Sequence, residues 1–338
     1  MVCLFSIKNS RVPEKKFMTD SGVTCVHFHP TGEDFLAAGT KDGSVLVFRL
    51  QKKAGSAASS TASPISGKHL LAVTQVKWIQ TDEGIGPSFF SIAQDGRVCL
   101  WSVSSAGLSH INVLEFPLNG QAREVDVLDD KLRRGTPTSI AVNPADSDRF
   151  LLGLDTGLVV GHSRSATTHA IASYRAHVGS VASIAWNRFD REVFGTAAAD
   201  WTVKIWLVGC FTPIIIVDLG SPVGGLAWAS SSSTAFVAVT DDGRAHVFDI
   251  SFCKTKALCT QRLRLRQGRE AALSCVAFSP FEPVILVAGE RGFILSLKLS
   301  PNLRKQQKEA KGADAEKLKE LERKKMERII ATSGIWQL

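Results

Sequence analysis

An all-β fold, a β-propeller of about six complete four-stranded blades with a partial N-terminal blade and a charged C-terminal helix, is predicted by three observations. One unit recurs six times along the 338 residues, with a turn acid at Asp42, Asp95, Asp155, Asp200, Asp242 and Glu290. Each copy holds short strands rich in β-branched and aromatic residues, bounded by turn residues. Insertions fall between copies while the centre of each stays compact, as stacked blades require.

The clearest copy runs from Ala176 to Val208: a His, an apolar strand ending in Trp186, a second apolar strand, a turn at Asp200-Trp201 and a third strand closing on Trp206. This order resembles a WD-type (WD40) repeat. The resemblance implies that His177, Thr196, Asp200 and Trp206 form a hydrogen-bonded network tying the loops of one blade together. A short acceptor such as Asp200 suits a tight turn, where it can bond backbone amides or an imidazole. A catalytic reading of the same His, Asp and Thr lacks an oxyanion donor and a cleft, so the network reads as structural. In the other copies the third-strand aromatic becomes Phe48, His162, Phe248 or Leu297. Only one blade is therefore expected to keep the full polar set, and apolar packing between sheets must hold the rest.

In chain order, Val2 to Ile7 and Glu14 to Thr19 read as the third and fourth strands of a blade whose first two are absent. The last repeat, Leu273 to Leu299, lacks an obvious fourth strand. Either the N-terminal strands complete it, or the chain is a fragment lacking an upstream blade; the fragment is favoured. Gln51 to Gly67 is rich in Gly, Ser, Ala and Thr and reads as a surface loop. Ser104 to Arg134 reads as a longer solvated connection with an acidic run, Glu124 to Asp130. In Gln261 to Arg269, period-two alternation puts Arg262, Arg264 and Arg266 on one face and Leu263 and Leu265 on the other. Such a row suits an acidic partner or equally a charged edge that repels other strands. The expected domains are a propeller over residues 1–300, with 1–20 as the partial blade, and a helical tail over 301–338. In the tail, helix formers begin at Asp314, and Leu318, Leu321, Met326, Ile329 and Ile330 make a short apolar stripe that would dock on a partner or on the propeller.

Composition narrows the function. The formal charge is +8, and residues 301–330 carry ten Lys or Arg against six Asp or Glu, so half of the excess lies in the tail. The seven cysteines are scattered, with no CxxC and no Cys/His set at zinc spacing, and read as core residues of a reducing compartment. No leader pattern and no apolar run of about 20 residues is present, so no membrane role is expected. No phosphate-binding loop, nucleophile elbow or metal-binding helix motif occurs, and no cofactor is expected. Basic patches are not paired with exposed aromatics, which argues against nucleic acid. An enzyme on a propeller scaffold would need a pocket gathering a His and carboxylates with shifted titration.

Val203 to Ile250 and Glu290 to Lys305, with GVTCVHFHP, DGSVLVF and QDGRVCLW upstream, closely resemble the C-terminal propeller of axonemal dynein intermediate chains, the outer-arm intermediate chain 1 type in particular. DWTVKIW, DDGRAHVFD and LKLSPNLRK together are more specific than a WD match. The resemblance implies a seven-bladed, non-catalytic subunit of the cilium or flagellum axoneme. Such a subunit grips the tail of a dynein heavy chain, pairs with a second intermediate chain and helps hold the arm on the doublet microtubule. Light-chain binding is not expected, since the family's N-terminal extension is missing here. A WD-repeat adaptor of another assembly, such as cytoplasmic dynein, a transport complex or a ubiquitin ligase, is the alternative. Arg262, Arg264, Arg266 and the tail are the candidate partner contacts.

Overall fold

The computed structural model describes residues 1–6, 8–9, 11–30, 34–50, 59–80, 86–116, 135–165, 170–264, 271–280, 282–290, 292–304 and 315–333. Two short strands, β1 (Val2–Leu4) and β2 (Lys15–Phe17), pair with each other. Six antiparallel meanders follow. The first is β3 (Val23–Phe28), β4 (Phe35–Thr40), β5 (Val45–Arg49) and β6 (Ser59–Ala62); the second is β7 (Val73–Ile79), β8 (Ser88–Ala93), β9 (Arg97–Ser104) and β10 (Gly107–Glu115). The third is β11 (Pro137–Val142), β12 (Arg149–Leu154), β13 (Leu158–Ser163) and β14 (Ala172–Arg175). The fourth is β15 (Val181–Trp186), β16 (Val193–Ala198), β17 (Thr202–Leu207) and β18 (Ile215–Asp218), and the fifth is β19 (Val223–Trp228), β20 (Ala235–Thr240), β21 (Arg244–Asp249) and β22 (Cys259–Arg262). The sixth has three strands among the described residues, β23 (Leu273–Phe278), β24 (Val284–Gly289) and β25 (Phe293–Lys298), and the helix α1 (Ala315–Ala331) comes last.

The chain divides into two compact units: residues Met1–Val142, Ser147–Leu154 and His162–Ala170 form one, and Asn143–Asp146, Asp155–Gly161 and Ile171–Leu338 form the other. The same construction recurs in both. The second strand of a sheet is covered on both faces, which is why SFFSIA, VFGTAA and AFVAVT show no polar alternation and are almost wholly buried. Small residues there admit the next sheet: a Cβ on Gly195 would stand 2.7 Å from Leu226 Cδ2. The first strand of each sheet carries a register shift after its first residue, from Val23/Cys25 to Leu273/Cys275. A bulge of this kind sharpens local twist.

In the first unit, Val2 and Phe17 pack on Leu36, Ala38 and Phe48, with the Phe17 and Phe48 rings 4.6 Å apart. Trp78 joins the second sheet to the first, its Nε1–H donating to His27 O at 2.8 Å. Strands β1 and β2 thus cover the middle of the first sheet and only Val23 of its first strand, so Val26 and Phe28 stay 49% and 54% exposed where Val76 and Trp78 are 1% and 3%. In the second unit, Trp228 Nε1–H donates to Ala185 O at 3.0 Å in the same manner.

Several expectations are corrected. Of the two alternatives weighed for the N-terminal strands, the less favoured, completion of the last sheet, is not found: among the described residues β1 and β2 pair only with each other. Ser59–Ala62, read as part of a loop, is the fourth strand of the first sheet, paired with β5; residues 51–58 lie outside the described residues. Gly107–Glu115, read as connection, is a nine-residue strand on β9, and the acidic run after it lies outside the described residues. An outer strand has one wet edge and needs little apolar patterning, so its pairing is decided by the strand beside it.

Candidate functional site

The His177 network is built from four elements. His177 precedes β15, Thr196 lies in β16, Asp200 in the β16–β17 turn and Trp206 in β17. His177 Nδ1 is 3.0 Å from both carboxylate oxygens of Asp200, and its Nε2 is 2.7 Å from Thr196 Oγ1. Trp206 Nε1–H donates to Thr196 Oγ1 at 3.0 Å. One proton arrangement satisfies every atom: indole N–H to Thr196, Thr196 O–H to Nε2, and Nδ1–H to Asp200. It requires a neutral imidazole. Burial pushes the His177 pKa down to about 4, outweighing the attraction of Asp200, so the contact at neutral pH is a hydrogen bond to a carboxylate and not an ion pair. Burial alone would raise Asp200. Bonds from the Thr202 hydroxyl and amide and from the Val178 amide hold its carboxyl below the usual range instead.

The second sheet carries the same set, which corrects the expectation of a single complete network. His69 Nε2 is 2.7 Å from Ser91 Oγ, its Nδ1 is 3.2 Å from Asp95, and Trp101 Nε1–H donates to Ser91 Oγ at 2.8 Å. Arg97 Nε adds a bond to Asp95 at 2.9 Å. The signal was present: Ser91, Asp95 and Trp101 repeat the spacing of Thr196, Asp200 and Trp206, and only His69 is displaced, by three residues accommodated in the longer β7–β8 connection.

In both sets every polar atom of the relay already has a partner, and all but the partly exposed Asp200 carboxylate are buried. A groove with a volume of about 660 Å³ lies elsewhere, between α1 and the β15–β16 connection; Arg188, Asp190, Arg191, Lys319, Arg323 and Glu327 are among its lining residues, and none is a histidine. Among the described residues no group of three or more His, Cys, Asp or Glu could hold a metal ion. No helix there is long and apolar enough to cross a membrane.

Of the arginine row, Arg262 ends β22 opposite Arg244, Leu263 is buried and Arg264 is exposed beyond the strand. Arg266 lies outside the described residues. Arg244 is paired with Asp242 at 3.0 Å.

Helix α1 is the feature that sequence reasoning left open. Met326, Ile329 and Ile330 enter the cluster that holds Phe236, Phe248 and Ile250. Between them Glu322, only 5% exposed, accepts from Ser233 N–H at 2.7 Å and Ser233 Oγ–H at 2.8 Å. Lys325 Nζ donates to Ser232 Oγ at 3.1 Å. The apolar stripe looked imperfect because two of its positions are this acid, which meets a backbone amide of the β19–β20 connection, and this lysine, which meets a serine hydroxyl there. Asn187 Nδ2–H donates to Ser233 O at 2.6 Å, so the same serine ties the fourth sheet, the fifth sheet and the helix.

Six successive sheets, five of them with acid-glycine turns, and two complete His–Ser/Thr–Asp–Trp sets define a WD40-type β-propeller protein. The family profile described as "WD domain, G-beta repeat" matches residues 12–49 and 169–206. The chain is a homologue of axonemal dynein intermediate chains. It is 35% identical over 333 residues to "Dynein intermediate chain 2, ciliary" of Heliocidaris crassispina, covering 98% of this chain and 47% of that one. It is 36% identical over 330 residues to "Dynein axonemal intermediate chain 1" of Bos taurus, covering 98% and 47%. "Dynein, 78 kDa intermediate chain, flagellar outer arm" of Chlamydomonas reinhardtii is 33% identical over 340 residues, covering 98% and 48%. The chain thus spans about half the length of these relatives.

Proposed function

We propose that this chain is a non-catalytic scaffold of an axonemal dynein, of the outer-arm kind, which holds the heavy-chain tail and a second intermediate chain and through them helps to anchor the arm on the doublet microtubule. Its place is the cilium or flagellum axoneme. The observation that carries this reading is the similarity over 98% of the chain to proteins named as ciliary, axonemal and flagellar outer-arm intermediate chains. The geometry supports it: the polar sets that resemble catalytic triads are consumed in holding strands and loops together, leaving adhesion by rims and exposed side chains. Residues 1–300 serve as the propeller and 301–338 as a tail whose helix is docked on the sheets. Arg262 and Arg264, with Arg266, supply charge-assisted contacts to an acidic partner surface.

High-salt extraction of axonemes from cells expressing the tagged chain tests the proposal. Copurification with dynein heavy chains is expected. Recovery only with cytosolic complexes would reject the axonemal reading in favour of an adaptor of another assembly.

A further inference from the structure

Five of the six turns between the second and third strands carry a glycine in the left-handed region: Gly43, Gly96, Gly157, Gly243 and Gly292, with φ from 73° to 85°. The sixth carries Trp201 at φ 71°, the one non-glycine residue with positive φ among the described residues. At Gly43, Gly96 and Gly157 a Cβ would stand 2.0 to 2.2 Å from a carbonyl oxygen of the following loop. Trp201 keeps the bond that these turns make to that loop, its O accepting from Leu219 N–H at 3.0 Å. The loop then turns at Gly220, φ 69°, with nothing within 4 Å of its Cβ position. Both the turn and its neighbour therefore depart from the common pattern to hold a tryptophan.

The indole is only half covered in return. Trp201 is 50% exposed, whereas Trp78, Trp101, Trp206 and Trp228 are at most 5% exposed. Among the described residues its ring has neither a stacking partner nor a hydrogen bond, while Asp200 and Thr202 carry the polar work of the turn. Val178, 94% exposed, donates its N–H to Asp200 Oδ2 at 3.1 Å, so two uncovered apolar side chains flank one carboxylate. The exposed Asp218 lies opposite Thr202 across β17 and β18. An uncovered residue in a strained conformation points to a use outside the molecule, and tryptophan is the commonest interface anchor.

We propose that Trp201 and Val178 form the anchor of a docking surface on the second unit, and that its occupant is the dynein heavy chain, at a place where an aliphatic side chain is flanked by arginine or lysine. The aliphatic group covers the indole and Val178, and the cation meets the indole face and Asp218. This rests on the axonemal dynein reading above.

The test measures binding of the recombinant chain to axonemal dynein heavy chains extracted in high salt and stripped of their own intermediate chains. Wild type binds; Trp201→Gly binds roughly tenfold or more weakly while its melting temperature is unchanged or raised, and Asp218→Lys binds more weakly still in low salt. No binding by wild type would overturn the dynein reading itself. Wild-type binding with unchanged affinity in both variants would overturn this inference alone, and if Trp201→Gly fails to fold, Val178→Asp and Asp218→Lys decide it. A concentration-dependent dimer of wild type that Trp201→Gly abolishes would place a second copy on the surface and also overturn it.

Discussion

At the residue scale, the relays through Thr196 and Ser91 are polar chains closed at both ends, with His177 and Trp206 on one and His69 and Trp101 on the other. Removing the middle hydroxyl leaves two buried groups without partners. Thr196→Val, close to isosteric, is expected to cost about 1–3 kcal/mol, read as a lower urea midpoint with an unchanged slope. Trp206→Phe should also destabilise, since it deletes the donor to Thr196 Oγ1 and leaves a void where a fully buried indole stood. Trp201 presents the opposite case. Its left-handed backbone costs about 1–2 kcal/mol, so Trp201→Gly is expected to raise the melting temperature; a clear fall would show that the indole supports the fold. The set around His177 was legible because all four residue types stand at repeat positions. The one around His69 was not, because the His is displaced by three residues and only the folded hairpin brings it into line.

At the element scale, α1 is held by three buried apolar side chains and one buried acid. Its surface pairs, Lys324 with Glu320 and Arg323 with Glu327, are exposed and contribute little. Glu322→Ala would leave the amide of Ser233 without its acceptor in a buried place, while its hydroxyl keeps the backbone carbonyl of residue 322, at a cost of about 1–3 kcal/mol. Hydrogen exchange over residues 315–331 should then accelerate and proteolysis near the helix should begin, while amides of β16 and β20 stay protected. Met326→Ala should act in the same direction by about 2–3 kcal/mol through the void it leaves. If exchange in the sheets accelerates equally with that in α1, the helix is part of the core's cooperative unit and not an appended clamp. The helix itself was readable from its composition; its docking was not, because Glu322 and Lys325 look like solvent residues until Ser232 and Ser233 are placed opposite them.

At the scale of the whole molecule, several histidines are buried neutral. Burial lowers His27 to about 3 and His177 to about 4, and it lowers His246 as well. A histidine whose folded pKa is depressed binds its proton more readily when unfolded. Its stabilising contribution is therefore full above about pH 6.5 and is lost as pH falls toward the folded value. The melting temperature is expected to be flat above neutrality and to fall steadily from about pH 6.5 to 4. For His177 alone the loss is on the order of 3 kcal/mol, and His177→Gln should flatten part of the slope while lowering the plateau. Asp190 and Asp241, raised chiefly by burial, act in the opposite sense, but only as their own titration is approached. A melting temperature insensitive to pH between 7 and 4.5 would contradict this account.

The sequence by itself determined the repeat: apolar second strands, acid-glycine turns and a helix-forming tail follow from local composition and spacing, because each blade is built from neighbours in the chain. Tertiary structure alone decided the outer strands β6 and β10, the place of His69 in the second polar relay, the seat of α1 and the exposure of Trp201. Each of these depends on what another sheet or loop places alongside, and that is information no local pattern of residues contains.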